Sequence, residues 1–258
     1  MERILIRSWE GLQVPCRIYD PGYGGITRVV VGVHGLTGSK DSPILAAIRE
    51  EMGLYQAASV TFDLPGHGES PMSTRDLNLE NCRRSLMAAA HLAREQFPEA
   101  RELCIFAECF GAYITLLTAE ELHEQLGPVR LVLRAPSVRM AETLLNMIEL
   151  NQAQFLKEGR VTRGYGKTLE VSYSFYEELA ANSVMVSYEF PMLVVHGERD
   201  EYVHLADLEL FRRLNDQSKL VVIPEGDHHF KSEPELNMLV DLTRDWFLCE
   251  DVLLSDWI

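Results

Sequence analysis

The chain of 258 residues is poor in the features that would place it in a membrane, a secreted disulfide scaffold or a nucleic-acid complex. Nowhere does it run to the ~18 consecutive apolar residues of a membrane-spanning helix. Its start, Met1-Glu2-Arg3-Ile4-Leu5-Ile6-Arg7, reads as a short strand and lacks the apolar stretch of a signal peptide. Cysteine is sparse: Cys16, Cys82, Cys104, Cys109 and Cys249 are odd in number, widely spaced and without any C-x-x-C pair. That pattern supports neither a disulfide framework nor a zinc site, and it suits a reducing cytoplasm. Positive charge is also short, with 24 Lys and Arg against 39 Asp and Glu, so the net charge is −15. A field of that sign repels phosphate backbones and anionic lipid headgroups, which argues against nucleic-acid and membrane partners. No repeat, low-complexity segment or cluster of histidines and carboxylates at metal-ligand spacing is present.

What is there is the composition of one large globular domain, 47% hydrophobic and 24% charged. Short β-branched runs alternate with segments of helical period, the pattern of crossover connections and a mostly parallel sheet. Strand candidates lie near 2–7 and 12–18 and then at Val29–Val33, Ala58–Phe62, Leu103–Phe106, Leu131–Leu133, Met192–Val195 and Leu220–Ile223. Their near-continuous apolarity predicts strands covered on both faces. Leu79, Cys82, Leu86, Ala89, Ala90, Ala93 and Phe97 recur at three- and four-residue spacing, a helix that Asn78 would cap. Ser232 and Glu235 form a capping box around Pro234 at the head of a last helix. The rhythm breaks at 137–188, far longer than a strand-to-strand crossover needs, and this predicts a lid inserted into a core of residues 1–136 and 189–258. Within it, 160–171 looks like a small hairpin. Tyr165, Phe175 and Tyr176 are candidates for a substrate wall, and packing of the insertion onto the body explains them equally well. Arg160, Arg163 and Lys167 are a local basic patch that would receive a carboxylate or form a solvated hairpin face.

Four segments at strand ends carry chemistry. The first is Val33-His34-Gly35-Leu36-Thr37-Gly38-Ser39-Lys40, whose glycines permit a turn that aims backbone N–H groups into a site, with Pro43 at the first helical position beyond it. The second, Asp63-Leu64-Pro65-Gly66-His67-Gly68-Glu69-Ser70, is a glycine-rich corner in which His67 reads as loop packing. The third, Ala107-Glu108-Cys109-Phe110-Gly111, followed by a helical run from Tyr113 to about Leu122, has the small-x-nucleophile-x-small pattern of a nucleophile elbow. Cysteine fills the nucleophile slot. The fourth is a pair of later strand ends, His196-Gly197-Glu198-Arg199-Asp200 and Gly226-Asp227-His228-His229-Phe230, which supply an acid and a histidine.

The order nucleophile, acid, histidine over nearly the whole chain resembles the α/β-hydrolase superfamily, and the His-Gly-Leu-Thr-Gly-Ser-Lys and Asp-Leu-Pro-Gly-His-Gly-Glu-Ser runs are most similar to its esterase and serine-aminopeptidase-like branch, which includes cinnamoyl esterases. The resemblance implies an α/β fold with a mostly parallel eight-stranded sheet. It makes Cys109 the nucleophile, His228 its general base and Asp200 the group that orients the imidazole, with Leu36 and Phe110 giving the backbone N–H groups of an oxyanion hole. Gly35 and Glu108 would line the substrate site. Asp227 and Glu198 compete with Asp200 for the orienting role, and His229 with His228 for the base. Ala107 departs from the usual first glycine of the elbow, and cysteine departs from serine in a way shared with dienelactone hydrolases.

The implied activity is cleavage of aryl, enol or thio esters or of lactones, because a thiolate is a better leaving group than an alkoxide or amine and alkyl ester or amide adducts would collapse back. A weak or inactive homologue that binds a small ester, lactone or acid is one alternative, and a dienelactone-hydrolase-like lactonase is another. The expected partner is a small-molecule ester, with no cofactor and no metal, and a homodimer is the candidate assembly. Glu108 adds a negative charge that would oppose thiolate formation if it points inward.

Overall fold

The computed structural model describes residues 1–22, 24–164 and 168–249. The strands are β1 (Glu2–Trp9), β2 (Leu12–Tyr19), β3 (Arg28–Val33), β4 (Ala57–Phe62), β5 (Glu102–Glu108), β6 (Val129–Arg134), β7 (Arg160–Gly164), β8 (Thr168–Ser172), β9 (Met192–Gly197) and β10 (Ser218–Ile223). The helices are α1 (Pro43–Leu54), α2 (Leu79–Gln96), α3 (Cys109–Leu126), α4 (Met140–Ile148), α5 (Gln152–Glu158), α6 (Tyr173–Ala181), α7 (Leu205–Leu214) and α8 (Glu233–Leu248). Eight strands form one sheet in the order β1-β2-β4-β3-β5-β6-β9-β10. β1 and β2 run antiparallel at one edge, and the pairs from β4 to β10 are parallel.

Period-two alternation divides the strand residues between two apolar layers. Leu103, Ile105, Leu131, Leu133 and Val194 pack with α2 and α3. Cys104, Phe106, Val132, Leu193 and Val195 pack with Ile44, Leu45 and Ile48 of α1 and with Leu239, Trp246 and Phe247 of α8. This two-sided burial is why the strands read as continuous apolar runs.

The helix starts follow local sequence. Pro43 opens α1, the Asn78 side chain accepts from the Asn81 amide at the head of α2, and Ser232 and Glu235 form the reciprocal box that opens α8. The helix after β5 begins at Cys109 and reaches Leu126, longer than its apolar stripe suggests.

Chain order reverses between β4-β3 and β3-β5, so the loops after β3 and β5 leave on opposite sides and open a crevice at the carboxyl ends of those strands. Between β6 and β9 the chain makes α4, α5, the antiparallel pair β7-β8 and α6. This segment has its own aromatic cluster, with Phe155 edge-on to Tyr173 and Tyr176. It is tied to the body where Glu178 accepts the Leu79 amide and Glu170 pairs with Arg75. Among the described residues no helix is long and apolar enough to cross a membrane.

Candidate active site

The turn from β5 into α3 holds Cys109 at φ 46°, in the left-handed region that costs a non-glycine residue energy unless its surroundings impose it. Gly111 is part of what imposes it. A Cβ at 111 would sit 2.7 Å from the Val33 carbonyl oxygen, so only glycine lets the first turn of α3 approach the end of β3. Cys109 is buried, as are Ala107 and Phe110 on either side of it. The Phe110 amide belongs to the first helical turn, where N–H groups have no intrahelical acceptor and the helix dipole is positive.

Across the crevice, the loop after β3 is held by two buried devices. The Leu64 amide donates to His34 Nε2 at 3.0 Å, so Nδ1 carries the ring proton and donates to the Gly35 carbonyl at 2.7 Å. The Lys40 amide and ammonium donate to the two oxygens of Asp63, each at 2.8 Å, and the ammonium also reaches Glu69 at 2.6 Å. His67 bonds the Pro65 carbonyl at 2.8 Å and packs near His34, a loop-packing role. Gly35 lies against the elbow, where an added Cβ would meet Cys109 Cβ at 3.4 Å, and Leu36 borders the same cavity.

The acid and the histidine come from β9 and β10, which meet at an unusually close backbone crossing. A Cβ on Gly197 would lie 2.7 Å from the Asp227 carbonyl oxygen, and the Arg199 amide donates to the Gly226 carbonyl at 2.8 Å. The crossing brings Asp200 Oδ2 to 2.7 Å from His228 Nδ1, while Oδ1 accepts the Tyr202 and Val203 amides at 2.9 Å each. Asp227 instead accepts the His229 amide and Glu198 accepts the Glu225 amide, so neither competes. His229 packs edge-on to His228 and is held below the usual imidazole range, first by burial and then by the neighbouring His228.

Electrostatics separate the cysteines. Burial pushes the Cys16 and Cys104 thiols up to about 12 and raises Cys82 further. Burial acts on Cys109 in the same direction, but the charge and hydrogen bond of His228, a hydrogen bond from Ser137 and the Arg134 charge outweigh it and hold this thiol below its ordinary value. Burial lowers His228, yet the Cys109 charge and the Asp200 hydrogen bond lift it to about 9. Asp200, which burial alone would raise, is held low by His228 and the two amides. Each shift favours the charged form of its group, thiolate at Cys109, imidazolium at His228 and carboxylate at Asp200.

The cavity at Cys109 measures about 140 Å³. Gly35, Leu36, Glu108 and His228 border it, and so do Ser42, Arg134, Met147, Tyr202 and His229. Phe175 and Tyr176 do not. Phe175 is spent on an edge-on contact with Phe110, and Tyr176 faces a separate cavity of about 490 Å³ together with Tyr113 and Leu179. Both belong to α6, which packs on the body beside α2 and α4 and leaves the wall of the small cavity to Met147 of α4. Tyr165 and Lys167 lie outside the described residues, and Arg160 pairs with Glu170 at 3.5 Å.

Glu108 does not leave a bare charge beside the thiol. It is paired with Arg134 at 2.9 Å, and both side chains are about 95% buried (6% and 5% exposed). Ser137 Oγ lies 3.2 Å from Cys109 Sγ. Sequence reasoning missed Arg134, Ser137, Ser42, Tyr202 and Met147. The one local signal was Arg134, a charged residue at the carboxyl end of a buried strand. Among the described residues, no three His, Cys, Asp or Glu side chains gather as a metal site.

No family model matches the chain, and no curated protein sequence matches it. Solved structures do. Est1E from Butyrivibrio proteoclasticus, solved with ferulic acid bound, superposes with a TM-score of 0.80 at 19% identity, covering 95% of this chain and 98% of that one. Alpha/beta hydrolase domain-containing protein 10 from mouse gives 0.76 at 18% identity over 96% and 98% of the two chains. Dienelactone hydrolase from Anabaena variabilis gives 0.66 at 18% identity over 96% of each. The chain has the α/β-hydrolase fold.

Proposed function

We propose that the protein hydrolyses small activated carboxylic esters, namely aryl, enol or thio esters or lactones, by acyl transfer through Cys109, His228 and Asp200. The observation that carries this reading is the single depressed thiol, set at a strained helix start beside a histidine that a buried carboxylate orients. In the first half-reaction the Cys109 thiolate adds to the carbonyl carbon. The amides of Leu36 and Phe110 hold the oxyanion, a contribution of about 3–4 kcal/mol per donor in a well-studied case. His228 then gives its Nε2 proton to the departing oxygen or sulfur, leaving a thioester on Cys109. In the second, neutral His228 takes a proton from water, hydroxide adds to the thioester, and Cys109 leaves as thiolate beside the regenerated imidazolium.

The cavity of about 140 Å³ favours a small acyl group. Amides are disfavoured because the thiolate departs more readily than an amine. Residues 137–188 act as a cap, a role that Met147 on the cavity wall supports. The Est1E neighbour, solved with ferulic acid bound, adds esters of aromatic acids as a second class to try after small acyl groups.

Turnover of p-nitrophenyl acetate and of an acyl thioester, compared with Cys109→Ala, tests the reading. The expected result is activity only in the unsubstituted protein, with an acyl adduct on Cys109 seen by mass spectrometry. Equal background rates in both proteins would overturn the reading.

A further inference from the structure

Of the buried charge pairs that the mechanism leaves unused, one adjoins Cys109. Parallel register sets Arg134, the last residue of β6, directly beside Glu108, the residue before Cys109. Arg134 Nη2 donates to Glu108 Oε2 at 2.9 Å, and Nη1 donates to the backbone carbonyl of His228. Its guanidinium also lies 5.6 Å from the Phe230 ring centre. The other carboxylate oxygen of Glu108 accepts from Ser42 Oγ at 3.1 Å, and Ser42 is the cap residue where the loop carrying Leu36 enters α1. Two side chains therefore touch the elbow, the loop after β3 and the histidine loop at once. A buried ion pair is no cheap way to stabilise a fold, since apolar side chains of like size often do as well. Its position needs another reason.

We propose that Glu108 and Arg134 are positioning residues, a clasp that keeps Cys109, the Leu36 loop and His228 in mutual register while cancelling each other's charge beside the thiol. The inference rests on Cys109 being the nucleophile. The charged and titratable groups facing Cys109 and its histidine are His228, His229 and Asp200 on the β9–β10 side, with His196 behind Asp200, Glu108 on the elbow and Arg134 on β6. Alone, Glu108 would oppose the thiolate. Alone, Arg134 would favour the thiolate and oppose the imidazolium. Together they offset part of each other's effect on the proton and tie the three loops.

The two parts of the claim separate experimentally in Glu108→Gln, Arg134→Met and the double variant, with Arg134→Lys as the conservative control. The pH midpoint of Cys109 alkylation by iodoacetamide reports charge. It is expected to fall by about one pH unit in Glu108→Gln, to rise by a similar amount in Arg134→Met, and to return close to the original value in the double variant. Amide hydrogen exchange across 224–232 reports the tether and is expected to quicken about tenfold in Arg134→Met and in the double variant. Arg134→Lys should hold the alkylation midpoint and lose part of the protection, because ammonium lacks the fork. The double variant buries no charge, so it stays informative if Arg134→Met fails to fold. Unchanged exchange in the double variant overturns the clasp, and so do single variants whose midpoints stay in place. Neither readout needs ester turnover, so an inactive wild-type protein would sink the hydrolase reading without deciding this one.

Discussion

Replacing Asp200 by Asn removes one charge from the centre of the site while keeping its volume. Asp200 Oδ1 accepts the Tyr202 and Val203 amides at 2.9 Å, and an asparagine carbonyl placed there accepts both. The new amide NH2 then faces His228 Nδ1, 2.7 Å from where the carboxylate oxygen stood. Nδ1 must accept, so the ring proton sits on Nε2, pointing at Cys109, and the imidazole cannot take the thiol proton without opposing two donors. A hydrogen bond to a charged group contributes about 1.5–3 kcal/mol. Its loss lowers the proton affinity of His228 by roughly one to two pH units. In the native protein His228 is held up to about 9, so the imidazolium persists through neutral pH and is lost only as pH rises through that value. In the variant it is lost near neutrality, and the thiolate it stabilises recedes with it. The corresponding change in a serine protease costs about 10⁴ in turnover. Here p-nitrophenyl acetate hydrolysis at pH 7 should fall by ~10²–10⁴, and alkylation of Cys109 at pH 8 by several-fold, with circular dichroism unchanged. A variant that keeps native rates within about twofold from pH 6 to 8 would refute the ion-pair reasoning.

Two further substitutions probe the same geometry. Gly197→Ala places a Cβ 2.6 Å from the Gly226 carbonyl carbon, and forcing the two loops apart should cost about 1–3 kcal/mol in urea unfolding and reduce turnover by more than the stability loss explains. An alanine variant that matches the native protein in both measurements contradicts the close crossing. Ser137→Ala removes the hydroxyl 3.2 Å from Cys109 Sγ and should raise the alkylation midpoint by roughly half to one pH unit without changing the unfolding curve.

The strands, the capped helices and the order of elbow, acid and histidine were legible because each depends on neighbours within a few residues. Pro43, Asn78 and the Ser232–Glu235 box act within one turn. The choice of Asp200 over Asp227 and Glu198 was less legible, since all three lie near the same strand ends. The backbone crossing at Gly197 and Gly226 decides it. The sequence leaves Phe175 and Tyr176 open between wall and packing for a different reason. Their apolar spacing marks a buried helix face but carries no information about which cavity that face meets, and α6 turns them toward Phe110 and a separate pocket.

The five cysteines show where sequence ends and tertiary structure begins. By itself the sequence determined that Cys109 stands at a strand-to-helix turn flanked by small residues, because strand, turn and helix are local consequences of apolar period and of the room that Ala107 and Gly111 leave. It did not determine the state of that thiol. Burial alone would raise it, as it raises Cys16, Cys82 and Cys104. Only the assembled sheet brings His228 and Ser137 to its sulfur and sets Arg134, 26 residues from Glu108, against that carboxylate across the neighbouring strand. Protonation responds to charge in three dimensions, and three-dimensional distance is fixed by strand register and loop crossing rather than by position along the chain.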